Sequence, residues 1–208
     1  MKWIKILKMS IFKDKIKEKK EKNKVEDLVF KINYNIDKIC SSIPSCISNL
    51  TNLTENGFRD IVLIGLKLIL KQEYNPTSET LNSNGQCDIY IKLNNEELKY
   101  ISEFKIWVGK KQIQKTFNQL FEYLDWQSES SIIFINKKNQ NYENINKKIY
   151  KWLETESKKG KCTIFEKKSN QWFIEYKDKK RGKKYKIYLA CYDFYNIKNN
   201  ERKKKKIK

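Results

Sequence analysis

Asp88, Glu103 and Lys105 have the types and the spacing to hold a divalent cation beside a reactive water. Asp88 sits in the alternating run CDIYIKL, and Glu103 and Lys105 sit in LKYISEFKIW, with polar NNEE between the two runs. Period-two alternation on both sides of a polar break predicts a β-hairpin. If the hairpin is symmetric, its midpoint falls between Asn95 and Glu96, which places Asp88 directly opposite Glu103. Cross-strand partners have Cβ atoms roughly 5 Å apart. Two carboxylates that close repel unless a cation lies between them, and hard oxygen ligands suit Mg²⁺ or Mn²⁺. Strand side chains alternate, so Lys105 shares the face of Glu103.

An isolated E-x-K triplet in a chain with 34% charged residues carries little weight; its neighbours carry the argument. The segment KKQIQKTFNQLFEYLDW spaces Ile113, Phe117, Leu120, Phe121 and Leu124 as one face of a helix, with Gln119 and Tyr123 stacked four apart. Asp88, then Glu103-Phe104-Lys105, then Gln119-x-x-x-Tyr123 resembles the PD-(D/E)xK nuclease superfamily, in the branch that RecB-like exonucleases share. The stretches TENGFRD, SETLNSNGQCDIYI, SEFKIWVGK and NQLFEYLDW extend the likeness to restriction-endonuclease-like bacterial proteins, over roughly Glu55 to Asn136. Cys87 and Phe104 depart from the residues usual in that pattern, but neither departure removes a ligand.

The resemblance implies an αβββαβ core and Mg²⁺ (or Mn²⁺) held by Asp88 and Glu103, with the backbone carbonyl of Phe104. It implies that Lys105 orients the attacking water, and that Gln119 and Tyr123 position lysine, water or phosphate. Glu55 matches a helix acid that completes the metal site in some members; as a first-turn acid it also has an ordinary role facing the helix dipole. Arg59, Lys110, Lys111 and Lys115 are the candidate phosphate contacts, although Arg59 and Asp60 could instead pair locally.

Composition bounds these expectations. Forty-five Lys plus Arg against 25 Asp plus Glu leave a net charge of +20 on 208 residues, which favours polyanionic partners. The absence of histidine excludes His-based acid–base chemistry and Cys/His zinc sites. Five cysteines without a C-x-x-C pair argue against a secreted disulfide framework and for reduced, buried thiols in a cytoplasmic protein. The longest apolar run, Ile61 to Leu70, is too short to span a bilayer and carries Lys67, and no signal peptide is read at the N-terminus.

The elements that must position the chemistry follow in order. Residues 1–24 place Trp3, Leu7 and Ile11 on one helical stripe among lysines, a pattern that caps a fold or lies on nucleic acid or a membrane surface. Val25 to Ile43 predicts an amphipathic helix ending near Pro44, its stripe packed on the core or on a second copy, followed by a loop through Thr54. Thr54 is the expected N-cap of a buried helix with Phe58, Ile61, Val62, Leu68 and Ile69 on its inner stripe, and Gly65 allowing close approach. Tyr74–Leu81 reads as a first strand, at an edge because of Pro76. Ile132–Ile135 reads as a buried strand and Tyr142–Thr155 as a helix with Ile145, Ile149, Trp152 and Leu153 inward. Two or three aromatic-rich strands precede the basic tail ERKKKKIK. Their tyrosines, among Lys183, Lys184 and Lys186, either stack bases or fill half-buried sheet positions, and the second role is the commoner.

The expected architecture is therefore α/β (α+β) in three parts. These are a basic helical extension (1–50), a restriction-endonuclease-like core with a mixed central sheet (51–140), and a C-terminal helix, β-hairpin and basic tail (141–208). The expected function is a Mg²⁺-dependent deoxyribonuclease in a restriction, defence or repair context, with nucleic acid, homodimer or partner subunit as its associations and no membrane. The alternative is a non-catalytic nucleic-acid-binding protein on the same fold.

Overall fold

The computed structural model of the protein describes residues 25–46, 52–70, 74–82, 85–93, 98–124, 128–137, 141–178 and 182–195. The basic stripe of residues 1–24, the NNEE turn and the basic tail lie outside the described residues.

Helix α1 (25–46) precedes α2 (Glu55–Ile69), β1 (Thr77–Asn82), β2 (Gly85–Leu93), β3 (Leu98–Ile106), α3 (Lys111–Tyr123) and β4 (Ser128–Asn136). Then come α4 (Tyr142–Lys158), β5 (Cys162–Lys168), β6 (Gln171–Asp178) and β7 (Lys183–Asp193). All seven strands form one mixed sheet in the order β1-β2-β3-β4-β7-β6-β5. The pairs β3–β4 and β4–β7 are parallel and the other four antiparallel. From α2 to β4 the order is the expected helix, three strands, helix, strand.

The C-terminal strands differ from expectation in how they attach. The expected hairpin is a three-stranded meander, and β7 runs parallel to β4, so the sheet continues unbroken from the expected core into it. Such a pairing joins residues 57 positions apart, such as Ser130 and Ile187, and nothing local in the sequence encodes it.

Two apolar layers cover the sheet. On one side α3 and α4 bury Ile113, Phe117, Leu120, Ile149 and Leu153 against Ile101, Ile132 and Leu189. On the other, α1 and α2 bury Ile32, Ile36, Phe58, Val62 and Leu66 against Ile89, Tyr100, Phe104 and Ile133. Each large side chain so removed from water contributes ~1.5–3 kcal/mol. The inward face of α2 is Phe58–Val62–Leu66, a four-residue ladder. Leu68 and Ile69, expected on that stripe, point away, Leu68 being 83% exposed. At 100° per residue, position 68 lies on the side of the helix opposite position 66.

Local signals explain the boundaries. The Thr54 hydroxyl accepts from the Gly57 N–H at 3.1 Å, the predicted N-cap. Gly65 lets α1 approach: a Cβ there would meet Ile39 Cδ1 at 2.6 Å. Helix α1 runs two residues beyond Pro44, where the expected loop should already have begun. A proline in the last turn forfeits one ladder bond without breaking the turns before it. Pro76 precedes β1, which is an edge strand as expected. Tyr185, Tyr188 and Tyr192 are buried in the sheet and do not form a stacking platform. The five cysteines are free thiols, four buried and Cys46 exposed. No helix among the described residues is long and apolar enough to cross a membrane.

Candidate active site

The β2–β3 register pairs Ile89 with Ser102 and Tyr90 with Ile101, and one further step in it sets Asp88 opposite Glu103. The predicted hairpin symmetry therefore holds. Asp88 Oδ2 accepts from the Phe104 N–H at 2.8 Å, so Phe104 ties the two strands together through its amide. Ile101, Glu103, Lys105 and Trp107 alternate onto the face covered by α3, at the carboxyl end of parallel strand β3. That end of a parallel strand is where open α/β sheets place ligands.

Three carboxylates converge on the Lys105 ammonium. Its Nζ lies 2.9 Å from Glu55 Oε1, 3.3 Å from Glu103 Oε2 and 3.9 Å from Asp88 Oδ2. Glu55 comes from the first turn of α2, on the other side of the sheet, and reaches around the strand end. Its Oε2 also accepts from the Ile106 N–H at 3.0 Å, so both its oxygens are engaged. Glu55 thus belongs to the cluster as a holder of Lys105 and of the β3 backbone. In this arrangement it does not offer a free oxygen as a third metal ligand.

Glu103 is the unusual member. It is 0% exposed, and its carboxyl has the Lys105 ammonium at 3.3 Å as an ion-pair partner but no well-formed hydrogen bond to either oxygen. Burial, reinforced by the charge of Asp88, pushes its carboxyl up to about 8 despite Lys105. Burial also raises Asp88, against the Phe104 N–H and Lys105, which lower it. Lys105 is displaced upward, because the field of Glu103, Asp88 and Glu55 outweighs the burial that would discharge it.

The remaining expected residues divide. Gln119 Nε2 donates to Tyr123 Oη at 3.1 Å on the facing side of α3, joining the pair as their four-residue spacing requires. Burial raises the Tyr123 hydroxyl, which also feels the charges of Glu103 and Lys105. Lys110, Lys111 and Lys115 line a single groove of about 490 Å³ with Lys105, Val108 and Gln119, so the expected phosphate contacts share a floor that ends at the cluster. Arg59 does not reach that groove. It is 6% exposed and bonded to Asp60 at 2.9 Å, the local pairing, and from there its charge lowers Asp88.

Sequence reasoning missed Gln112. Its side chain accepts from the Val108 N–H at 2.9 Å and donates to the Ile106 carbonyl at 2.8 Å, clamping the β3–α3 connection. Gly109 turns that connection at φ 150°, with no atom within 4 Å of where a Cβ would sit, so backbone conformation and not space requires glycine. Helix α3 starts with neither a side-chain cap nor an acid in its first turn, which leaves the positive end of its dipole beside the lysines.

Among the described residues no group of three or more His, Cys, Asp or Glu is arranged to hold a metal ion, and the three acids instead meet on the Lys105 ammonium. The donor chemistry of the pair Asp88 and Glu103 nevertheless fits a hard dication. Both offer carboxylate oxygens, and those of Glu103 are buried with no well-formed hydrogen bond, only the Lys105 ion pair. No family model matches the chain, and neither a curated protein nor a solved structure matches it.

Proposed function

We propose that this chain is a metal-dependent phosphodiesterase acting on DNA, as the resemblance to PD-(D/E)xK nucleases implies. One observation carries the reading: a fully buried Glu103, held only by its ion pair with Lys105, stands beside Asp88, and Lys105 in turn lines a lysine-rich groove. Burying a carboxyl that makes one ion pair and no well-formed hydrogen bond is unfavourable whether it ionises or takes up a proton, a cost that a structural role does not explain.

Asp88 and Glu103 are the residues that would hold Mg²⁺ or Mn²⁺, which when bound supplies an acidified water and neutralises phosphate charge. Lys110, Lys111 and Lys115 attract the polyanion and align its backbone along the groove. Lys105 exchanges its carboxylate contacts for the scissile phosphate and stabilises the charge that develops there, in surroundings too dry for water to compete. Glu55 keeps Lys105 at the strand end, and the Gln119–Tyr123 pair borders the same space. The restriction or defence setting and the preference for DNA rest on the resemblance.

Incubating the purified full chain with plasmid and single-stranded DNA tests this. Cleavage is expected with Mg²⁺ or Mn²⁺ and none with EDTA, and full activity after exhaustive chelation would exclude the metal mechanism. A second reading, a non-catalytic nucleic-acid binder, draws on the ion pairs that Lys105 makes with the acids. Binding without cleavage under every metal condition would favour it.

A further inference from the structure

A second pocket, of about 360 Å³, lies at the opposite end of the sheet from the acid–lysine cluster, between the start of α1 and strands β4, β6 and β7. Its apolar wall includes Val29, Phe30, Phe165 and Phe173. Phe30 and Phe165 are each 64% exposed, whereas aromatic side chains of this size normally bury most of their surface. Two aromatic rings left in water around one concavity indicate a surface that something covers.

The polar groups at the pocket set the charge of the occupant. Glu26 and Glu129 both line it, against a single ammonium, Lys186, which bonds Glu26 at 3.1 Å. Two carboxylates against one ammonium leave a local excess of negative charge on a chain whose net charge is +20. Burial holds the Glu129 carboxyl up to about 6, a further sign that it lacks full compensation. Such a site repels phosphate and selects an apolar segment that carries positive charge.

We propose that the pocket docks the chain's own residues 1–24, with Trp3, Leu7 and Ile11 entering between Phe30 and Phe165 and the intervening lysines meeting Glu26 and Glu129. The segment has the required chemistry: its three apolar residues recur every four positions, and ten lysines stand against three acids. It is also tethered at the right place. The last of these residues adjoins Val25, and Glu26, Val29 and Phe30, within the first two turns of α1, form one wall of the pocket. Even at well under the ~3.3–3.6 Å per residue of an extended chain, the dozen residues after Ile11 suffice to fold back over that wall. Tethering makes the encounter intramolecular, at an effective concentration in the millimolar range. The occupant is thus this segment and not a second copy or a nucleic acid.

Photo-crosslinking of the full chain tests the assignment. With benzoylphenylalanine in place of Phe165, irradiation should join that position to residues 1–24 within one chain, at a yield that does not change on dilution. The same group in place of Leu68, still more open to solvent but on α2, should not reach them. Combining Trp3→Ala, Leu7→Ala and Ile11→Ala should lower the Phe165 yield by about fivefold or more, since each truncation removes apolar surface from the docked face. Crosslinks that form only between two chains, that reach 1–24 equally from positions 165 and 68, or that miss 1–24 altogether would each overturn the proposal. None of those outcomes bears on the nuclease reading, because the pocket lies at the starts of β4 and α1 and not at the end of β3.

Discussion

Two buried glutamates, each beside lysines, have opposite environments. Glu156, on α4, is 3% exposed; its Oε1 accepts from Lys159 Nζ at 2.8 Å, and its Oε2 accepts from Tyr176 Oη at 2.9 Å with Lys161 3.3 Å away. Burial alone would raise its carboxyl, but these donors outweigh burial and hold it below the usual range. Glu103, equally buried, accepts no hydrogen bond and is raised to about 8. The contrast separates two uses of a carboxylate. Glu156 is satisfied by its own neighbours and fastens α4 to the C-terminal meander, whereas Glu103 has only the Lys105 ammonium at 3.3 Å, and it is Lys105 that lines the groove.

The largest effect that follows from this contrast belongs to Lys105. Lys105→Ala should lower turnover roughly a hundredfold or more, with substrate affinity little changed, since the ammonium acts on charge that develops in the transition state. Gln119→Ala and Tyr123→Phe should give smaller losses, less than additive with Lys105→Ala. Single-turnover kinetics alongside equilibrium binding would measure both quantities. Normal cleavage by Lys105→Ala would place the chemistry elsewhere.

Stability should respond to the two glutamates with opposite signs. Glu156→Gln weakens three charge-assisted contacts and should cost ~1–3 kcal/mol, while Glu103→Gln removes a buried charge and should be neutral or stabilising at alkaline pH. The pH dependence follows. Glu103 has a folded-state pKa above its ordinary value of 4.5, so its contribution is full below that value and is lost as pH rises through about 8. Asp88 is displaced in the same direction and adds to the loss. Glu156 works the other way, its contribution being lost as pH falls. Thermal unfolding of the wild type should therefore weaken from pH 5 to 8.5, and that slope should flatten in Glu103→Gln but not in Glu156→Gln. An equal slope in all three proteins would remove the distinction between the two sites.

The smallest effect concerns the groove. Replacing Lys110, Lys111 and Lys115 together by alanine should weaken DNA binding and flatten its salt dependence by up to about 0.9 for each phosphate no longer neutralised, with little change in single-turnover cleavage at saturation. An unchanged slope would mean that the nucleic acid does not follow this floor.

How much of this was legible in the sequence differs between neighbouring residues for physical reasons. The facing of Asp88 and Glu103 was legible because strand side chains have period two and a symmetric turn fixes the register. The stacking of Gln119 on Tyr123 was legible from the helical period alone. The Glu55–Lys105 contact spans fifty positions, and a helix N-terminal acid has an ordinary dipole role, so spacing could not decide between its two uses. Arg59 has the charge of a phosphate contact, but packing against the sheet buries it, and the packing angle of α2 is not written in its pattern. The presence of Lys105 between the acids, and the double hydrogen bond of Gln112, depend on how a strand end meets two helices. These are tertiary facts with no local signature.

The carboxylates of Asp88 and Glu103 beside Lys105 are proposed as cation ligands, whereas the fully hydrogen-bonded carboxylate on α4 is not. Titrating Mn²⁺ into the full chain and following the free ion by electron paramagnetic resonance tests it most directly, with wild type, Asp88→Asn, Glu103→Gln and Glu156→Gln compared at one pH. The expected result is a Mn²⁺ site in wild type and Glu156→Gln that is absent from Asp88→Asn and Glu103→Gln. Wild-type affinity retained in Glu103→Gln, or abolished equally in folded Glu156→Gln, would contradict it.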